Sequence, residues 1–356
     1  MPVSHTARTI SALAANPGCP RRAVLDAAGV HKQQLAAHIG YPAPFGQSQF
    51  AITRGNAFEA RVTANGAAQL LTLLREHLGL DVTEVGYTEL GEVGGSQSRE
   101  LRHLHTRHAL TGRDHGPRTL FDHPLLRLRV GGRHAYLEPD LIALRLDGTY
   151  HVIEVKSFPV IDGQADAAKV AAAAIQSAVY VRALRDLVAD AGGDPDRVSH
   201  QTILIAPRDF ASQPVATSLD IRRQLGVLDR QLVRMAKIAD QLALIPDTLT
   251  FDLDPDAGGT PRRDPDDLAA AVALVPANYV PECLSTCELC FACREEARDT
   301  TGALGKSVRE DLGGIEHTAQ ALALARGQLP SPDRAEIAAQ LLRAAQLREQ
   351  LLGEVI

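Results

Sequence analysis

The sequence contains no tryptophan, and aromatic residues make up only 4% of it. It also lacks any run of eighteen apolar residues, so no membrane-spanning helix is predicted. The first thirteen residues, Met1–Leu13, lack the apolar core of a signal peptide. We therefore expect a cytoplasmic protein with no membrane partner. The net charge of -6 lacks the basic excess of many nucleic-acid-binding proteins, but a local basic groove remains compatible with it.

Strand and helix patterns alternate along the middle of the chain. Alternating apolar residues predict strands at 125–130, 135–146 (with a break at Pro139) and 150–156, and Asp147-Gly148 predicts a two-residue hairpin turn. A short apolar run at 202–206 predicts one more buried strand. Helical spacing of apolar residues predicts helices at 56–80, 165–189, 217–245, about 307–326 and 332–352. Residues 91–124 are polar and Gly-rich, and we expect an irregular surface loop there. This order predicts an α/β fold with a mixed sheet flanked by helices.

Two carboxylates and one lysine are predicted to meet across the hairpin. Asp140 and Glu154 lie nearly opposite each other on the paired strands, and Lys156 lies on the same face as Glu154. Such charges are costly to bury in an apolar sheet unless they are paired or bind a metal ion. Carboxylates suit Mg²⁺ or Mn²⁺, and with a nearby lysine they fit phosphodiester hydrolysis. The alternative is a set of solvated ion pairs on a surface hairpin.

Cysteines are concentrated near the C-terminal end. Cys283, Cys287, Cys290 and Cys293 are separated by three, two and two residues, and Cys19 stands alone near the N terminus. Four thiols in so short a span suit an iron–sulfur cluster or a tetrahedral Zn²⁺ site better than disulfides in a reducing compartment.

Several motifs follow one another in a fixed order over roughly residues 8–300. They are Ser11-Ala12-Leu13 with Cys19-Pro20-Arg21-Arg22, then Gly55-Asn56-Ala57-Phe58-Glu59, Asp140, Glu154-Val155-Lys156, Gln176 to Tyr180, and the C-terminal cysteines. This order resembles the RecB-like nucleases with a PD-(D/E)xK core, in particular the iron–sulfur subgroup that includes CRISPR-associated exonucleases.

The resemblance implies a restriction-endonuclease-like fold and a set of site residues. Those residues are Glu59, Asp140, Glu154 and the Val155 carbonyl as ligands of Mg²⁺ or Mn²⁺, Lys156 as the group facing the scissile phosphate, and Gln176 and Tyr180 as substrate-binding residues lining the active site. Many relatives carry His where this chain has Glu59, and Glu is also a competent oxygen ligand.

The resemblance also implies a cluster that joins the two ends of the domain. In the iron–sulfur subgroup, one cysteine precedes the nuclease core and three follow it, often with five residues between the last two. The implied ligands of a 4Fe–4S cluster are Cys19, Cys283, Cys287 and Cys293, with Cys290 as the alternate. A site made by the four C-terminal cysteines alone, with Zn²⁺ as the alternative to the cluster, stays open.

We therefore expect four segments: an N-terminal helical segment at 1–50, a nuclease core at 51–250, a linker with the cysteines at 251–300, and a C-terminal helical hairpin at 301–356. The implied activity is hydrolysis of DNA, single-stranded or with a free end, as an exonuclease. A separate helicase or defence-system protein is a possible partner. Two alternatives remain: a catalytically decayed binding or assembly factor of the same fold, and a zinc-stapled α/β protein unrelated to nucleases.

Overall fold

The structure is a computed structural model that describes most of the chain. The described residues are 4–43, 49–78, 85–91, 98–112, 118–139, 143–146, 148–209, 213–242, 250–328 and 332–353. Asp140 and Asp147 lie outside them. None of the described helices is both long enough and apolar enough to span a membrane.

The chain folds into two compact units. The first comprises Met1–Pro17, Ala23–Val30 and Gly46–Thr248, and the second comprises Gly18–Arg22, His31–Phe45 and Leu249–Ile356. The expected core at 51–250 therefore falls almost wholly in the first unit, whereas the expected N-terminal segment at 1–50 is divided between the two.

The described helices are α1 (Ala7–Ala15), α2 (Pro20–Ala28), α3 (Lys32–His38), α4 (Gln49–Leu78), α5 (Arg99–Thr111), α6 (Ala167–Asp190), α7 (Arg222–Leu242), α8 (Pro265–Ala273), α9 (Cys283–Thr286), α10 (Cys290–Glu296), α11 (Lys306–Asp311), α12 (Thr318–Ala325) and α13 (Ala335–Gly353). Short 3-10 turns occur at Pro195–Arg197, Thr301–Leu304 and Pro332–Arg334.

The described strands are β1 (Gly86–Glu89), β2 (Arg118–Asp122), β3 (Leu126–Val130), β4 (Arg133–Leu137), β5 (Ala143–Leu146), β6 (Thr149–Val155), β7 (Gln201–Pro207) and β8 (Pro214–Asp220). Six of them form one sheet in the order β1-β2-β5-β6-β7-β8, and β3 and β4 form a separate hairpin. The pairs β1–β2 and β6–β7 are parallel, and the other pairs are antiparallel. The prediction of an α/β fold with a mixed sheet is confirmed.

The β5–β6 hairpin has the register that the sequence predicts. Leu146 pairs with Thr149 and Ala143 pairs with Val152, and Gly148 takes a φ of +85° in the turn. An L-residue with a side chain rarely adopts this conformation, whereas glycine adopts it at little cost. The turn therefore fixes which residues of β6 face each side of the sheet.

The predicted meander is divided between two sheets. Strands β3 and β4 pair only with each other in the described chain, while β5 pairs with β2 on its other edge. The prediction that residues 91–124 form an irregular loop is also wrong, because this segment contains α5 and β2. Helix α5 is held by polar contacts that a search for apolar periodicity misses. His103 Nδ1 lies 2.9 Å from the Leu125 carbonyl oxygen, and the Leu125 N–H donates to Thr106 Oγ1 at 2.9 Å.

Three helix predictions also need correction. Helix α4 is interrupted at Ala64–Ala67, where Asn65 and Gly66 have φ values of +55° and +64°. Residues 217–220 belong to edge strand β8 and not to the following helix. The helix expected at 307–326 is divided into α11 and α12, because Gly313 and Gly314 between them have positive φ.

Helices cover both faces of the large sheet. On one face, Leu120 and Ile153 pack with Phe58, Val62 and other apolar residues of α4. On the opposite face, Phe121 and Val152 pack with the Ala-rich helix α6 and with α1 and α7. The sequence explains α6 directly, because Asp166 accepts a hydrogen bond from the Lys169 N–H as the N-cap of an alanine-rich segment.

The central position of β6 gives a stability prediction. Ile153 is 0% exposed, and we expect Ile153→Ala to lower the free energy of unfolding by about 2–5 kcal/mol through lost burial and a residual cavity. Urea denaturation followed by circular dichroism measures this change. The matched control is Val233→Ala, whose side chain is 59% exposed on α7. A loss below about 1 kcal/mol for Ile153→Ala would contradict this packing.

Candidate active site and cysteine module

The end of β6 places a carboxylate and an ammonium group side by side. Glu154 is completely buried, and its Oε1 forms an ion pair with Lys156 Nζ. The Lys156 N–H donates to the Ile205 carbonyl oxygen at 2.8 Å, so the β6–β7 ladder continues through this residue. Since side chains two residues apart on a strand share a face, the backbone holds this pair together as the sequence predicts.

Glu154 lies on the face of the sheet that α6 covers. Its partner in β7 is Leu204, which packs with Ala173 of α6. On the same helix, Gln176 Nε2 donates to the Tyr180 hydroxyl at 2.9 Å. Tyr180 is 2% exposed and belongs to the core on this face. The Gln176–Tyr180 pair therefore forms as a unit on the helix that covers the Glu154 face.

The structure places Glu59 next to a residue that the sequence analysis did not select. Glu59 lies on α4, and its Oε1 is 3.3 Å from His123 Nε2. A side chain at Gly55, one turn earlier, would lie 3.8 Å from Ser157 Oγ, so this part of α4 runs near the end of β6. Glu59 and Glu154 belong to no common group of three metal-binding side chains within the described residues. Asp140 and its contacts lie outside them.

A second group of ionisable side chains lies at the ends of β1 and β2. Within the described residues, Glu89, Asp122 and His123 are the one set of three potential ligands whose donor atoms all lie within 4.8 Å of one another. His123 Nδ1 is 2.9 Å from Asp122 Oδ1 and 3.7 Å from Glu89 Oε1. The group forms because β1 and β2 are parallel and pair Glu89 with Asp122. The local sequence contains no signal for that pairing.

Backbone geometry holds this group close together. His123 has a φ of +49°, which is uncommon for a residue with a side chain. The Gly91 N–H donates to Glu89 Oε1 at 2.7 Å. A Cβ atom at Gly91 would lie 2.9 Å from the same oxygen and 3.1 Å from His123 Cβ. Only glycine fits there without displacing one of these side chains.

Two carboxylates favour the charged form of His123. Hydrogen bonds to Asp122 and then to Glu59 raise the pKa of His123 to about 10. Burial works against the charge on Asp122, but its bonds to His123 and Tyr87 lower the pKa of this carboxyl overall. Burial and the bond to Asp122 raise the pKa of Tyr87, so its hydroxyl stays protonated and donates. At neutral pH the group therefore contains an imidazolium among carboxylates.

The second unit brings the N-terminal cysteine segment to the C-terminal cysteines. The Arg21 N–H donates to the Pro276 carbonyl oxygen at 3.1 Å. A Cβ atom at Gly18 would lie 2.9 Å from Asn278 Nδ2, so this glycine lies against the Asn278 side chain. None of the five cysteines forms a disulfide. The buried ones are Cys19, Cys283, Cys290 and Cys293, and Cys287 is partly buried.

Burial favours the protonated form of three C-terminal thiols in the absence of a ligand. It raises the pKa of Cys293 to about 12 and also raises the pKa values of Cys287 and Cys290. Because cysteine binds metals as the thiolate, ligation at this site must release protons. The free energy of metal binding must therefore exceed the cost of ionising buried thiols.

The described thiols do not form a compact group of three. No three of the described cysteines have sulfur atoms within 4.8 Å of one another. A cavity of about 330 Å³, lined in part by Tyr279, Cys293 and Glu296, provides open volume beside one of the thiols.

Comparison with known proteins adds no assignment. No family model, no curated protein and no solved structure matches this chain.

The His123 group gives a prediction about protonation. In the protein without added metal, NMR titration of His123 should give a pKa of about 10, above the ordinary 6.5. A raised pKa in the folded state stabilises the fold fully below about pH 6.5, and this contribution is lost as pH rises through about 10. Glu59→Gln should lower the pKa, because it removes one carboxylate partner.

The matched control is Glu76→Gln, an exposed residue on the same helix, which should leave the His123 titration unchanged. A wild-type pKa near 6.5, or the same value in Glu59→Gln, would show that these carboxylates do not hold the imidazolium.

Proposed function

We propose that this protein is a divalent-metal-dependent DNA nuclease with a structural 4Fe–4S cluster. The observation that carries the proposal is the fully buried Glu154 carboxylate, paired with Lys156 at the end of the central strand. A buried carboxylate is costly unless a cation neutralises it. The desolvation cost of such a pair in an apolar sheet therefore favours a functional role for the two groups.

The chemistry of the donor set fits Mg²⁺ or Mn²⁺. Glu154, Asp140 and the Val155 carbonyl would provide hard oxygen ligands, with Glu59 as a further ligand. When bound, the ion polarises a phosphate group and supplies hydroxide near neutral pH. Asp140 lies outside the described residues, so its part in this set rests on the hairpin register and on the resemblance to RecB-like nucleases.

Lys156 has a role of its own in this proposal. Its side chain is 22% exposed while Glu154 is buried, so the ammonium lies between the carboxylate and solvent, the direction from which a phosphodiester must arrive. There it stabilises the negative charge that develops on the phosphate. Gln176, which is partly exposed on α6, contacts the bound nucleic acid strand, and the buried Tyr180 holds Gln176 in place through their hydrogen bond.

The finer fold assignment is part of the same proposal. The order α4, three strands β2, β5 and β6, then α6 and β7 gives a mixed sheet with a helix on each face, and this supports a restriction-endonuclease-like core. The resemblance favours single-stranded or free-ended DNA and exonuclease action. It also implies a separate helicase or defence-system protein as the partner.

The arrangement of Cys19 and the four C-terminal cysteines supports the proposal of an iron–sulfur cluster. None of the five cysteines is in a disulfide, and Cys19 belongs to the same compact unit as the other four. We propose Cys19, Cys283, Cys287 and Cys293 as ligands, with Cys290 as the alternate. The cluster ties two segments of the second unit together, and its role is structural.

The nuclease proposal predicts a specific loss of activity. Lys156→Ala should abolish Mn²⁺-dependent cleavage of labelled single-stranded DNA and leave DNA affinity largely intact, because the ammonium acts mainly on charge that develops during the reaction. Gel analysis of cleavage and fluorescence anisotropy of binding measure the two effects separately.

Lys237→Ala, an exposed lysine on α7, is the control and should cleave as the wild type does. Unchanged cleavage by Lys156→Ala would refute the assignment of this lysine. DNA binding without cleavage by the wild type would favour the catalytically decayed binding factor.

The cluster proposal predicts a visible change. Wild-type protein purified anaerobically should be brown and contain iron and sulfide, whereas Cys287→Ser should be colourless and should unfold at lower temperature. Ser285→Ala, an exposed neighbour, should remain brown. A brown and equally stable Cys287→Ser would remove Cys287 from the ligand set, and zinc without iron in the wild type would refute the cluster.

A further inference from the structure

The second unit buries two adjacent arginines beside the cysteines. Arg21 and Arg22 are 2% and 4% exposed. Burial of one guanidinium is already expensive, and it is tolerated only where hydrogen bonds and opposite charges compensate. Two buried arginines in succession at the start of α2 therefore need compensating groups around them.

Arg21 contacts three different groups through one side chain. Its Nε donates to the Val275 carbonyl oxygen at 2.8 Å, and its Nη1 lies 2.7 Å from Glu296 Oε1. The same Nη1 donates to Cys293 Sγ at 3.5 Å. Cys293 and Glu296 are three residues apart on α10 and so share one face of that helix. The guanidinium spans both of them.

Arg22 makes the same kind of contact with a different cysteine. Its Nη1 donates to the Thr286 carbonyl oxygen at 2.9 Å and lies 3.3 Å from Glu288 Oε2. Cys287 lies between these two residues in the chain, and the positive charge of Arg22 lowers the pKa of its thiol against the larger effect of burial. Consecutive residues on a helix point about 100° apart, which lets the two arginines reach two separate cysteines.

Each arginine thus pairs with one glutamate and lies beside one cysteine. The glutamates alone neutralise the two guanidinium charges, and neither pairing needs a sulfur atom. Arg21 nevertheless donates to Cys293, and the charge of Arg22 acts on Cys287; both cysteines are proposed ligands. Hydrogen bonds to the sulfurs, together with net charge, set the reduction potential of an iron–sulfur cluster.

We propose that Arg21 and Arg22 are positioning residues for the cluster: they hold two of its thiolate ligands and stabilise their negative charge by N–H···S hydrogen bonds. The inference rests on the proposed cluster and adds these two arginines to it. Positive charge at the sulfurs favours the reduced form of the cluster, which carries one more negative charge, and so raises the reduction potential. It also slows loss of iron, because the nearby guanidinium groups disfavour protonation of the two thiolates, and iron is released when the thiolates are protonated.

The test compares full-length holoprotein of the wild type with Arg21→Gln and Arg22→Gln. The measurements are iron and sulfide per chain, midpoint potential by a spectroscopic redox titration, and the rate of iron release to a chelator. We expect both variants to have a more negative midpoint potential and to release iron several-fold faster. Arg298→Gln is the control, since Arg298 is 75% exposed and pairs with Glu295 in the same region.

Arg21→Lys separates a role at the sulfur from a merely structural one. Lysine keeps the charge but loses the planar fork of donors. The midpoint potential of the Arg21→Lys protein should therefore fall between those of the wild type and Arg21→Gln. It also serves as the test variant if the glutamine variants do not fold.

Two different failures can be told apart. Wild-type protein without iron overturns the cluster, and this inference with it. Iron in the wild type, with potential and iron release unchanged in folded Arg21 and Arg22 variants, overturns the role of the arginines and leaves the cluster in place.

Discussion

The pairing of β6 leaves this strand without a free edge or an exposed face. It is antiparallel to β5, parallel to β7, and covered by α4 on one side and α6 on the other. The side chains at 152–155 are all buried, and alternation assigns Ile153 to the α4 side and Glu154 to the α6 side. A charge at position 154 has no route to water along the strand. Lys156, the next residue on that face, neutralises it.

Local patterns predicted the parts of the fold that depend on neighbouring residues. The Asp147-Gly148 turn predicted the β5–β6 register, and the helical pattern at 165–189 predicted α6. Elements that depend on distant partners were missed. Strand β8 is defined by its pairing with β7, and α5 is fastened by His103 and Thr106 to the backbone of Leu125. Neither contact produces a periodic pattern of apolar residues that could be recognised in the sequence.

The same division applies to the candidate site. Glu154 and Lys156 are two residues apart, so strand geometry alone predicts that they share a face. The contact between Glu59 and His123 joins α4 to the end of β2, and Glu89 reaches them only through the parallel pairing of β1 and β2. No property of the His123 segment taken alone distinguishes it from the other histidines nearby. Its partners come from elements that only the fold brings together.

The position of Arg21 in the chain sets an order of events during synthesis. Its acceptors in the second unit lie 254 to 275 residues downstream. At the usual rates of translation, the ribosome needs on the order of tens of seconds to make that stretch. Throughout this interval the Arg21 guanidinium remains in water, because its acceptors have not yet been synthesised. The second unit therefore cannot complete its folding until its C-terminal residues have been made.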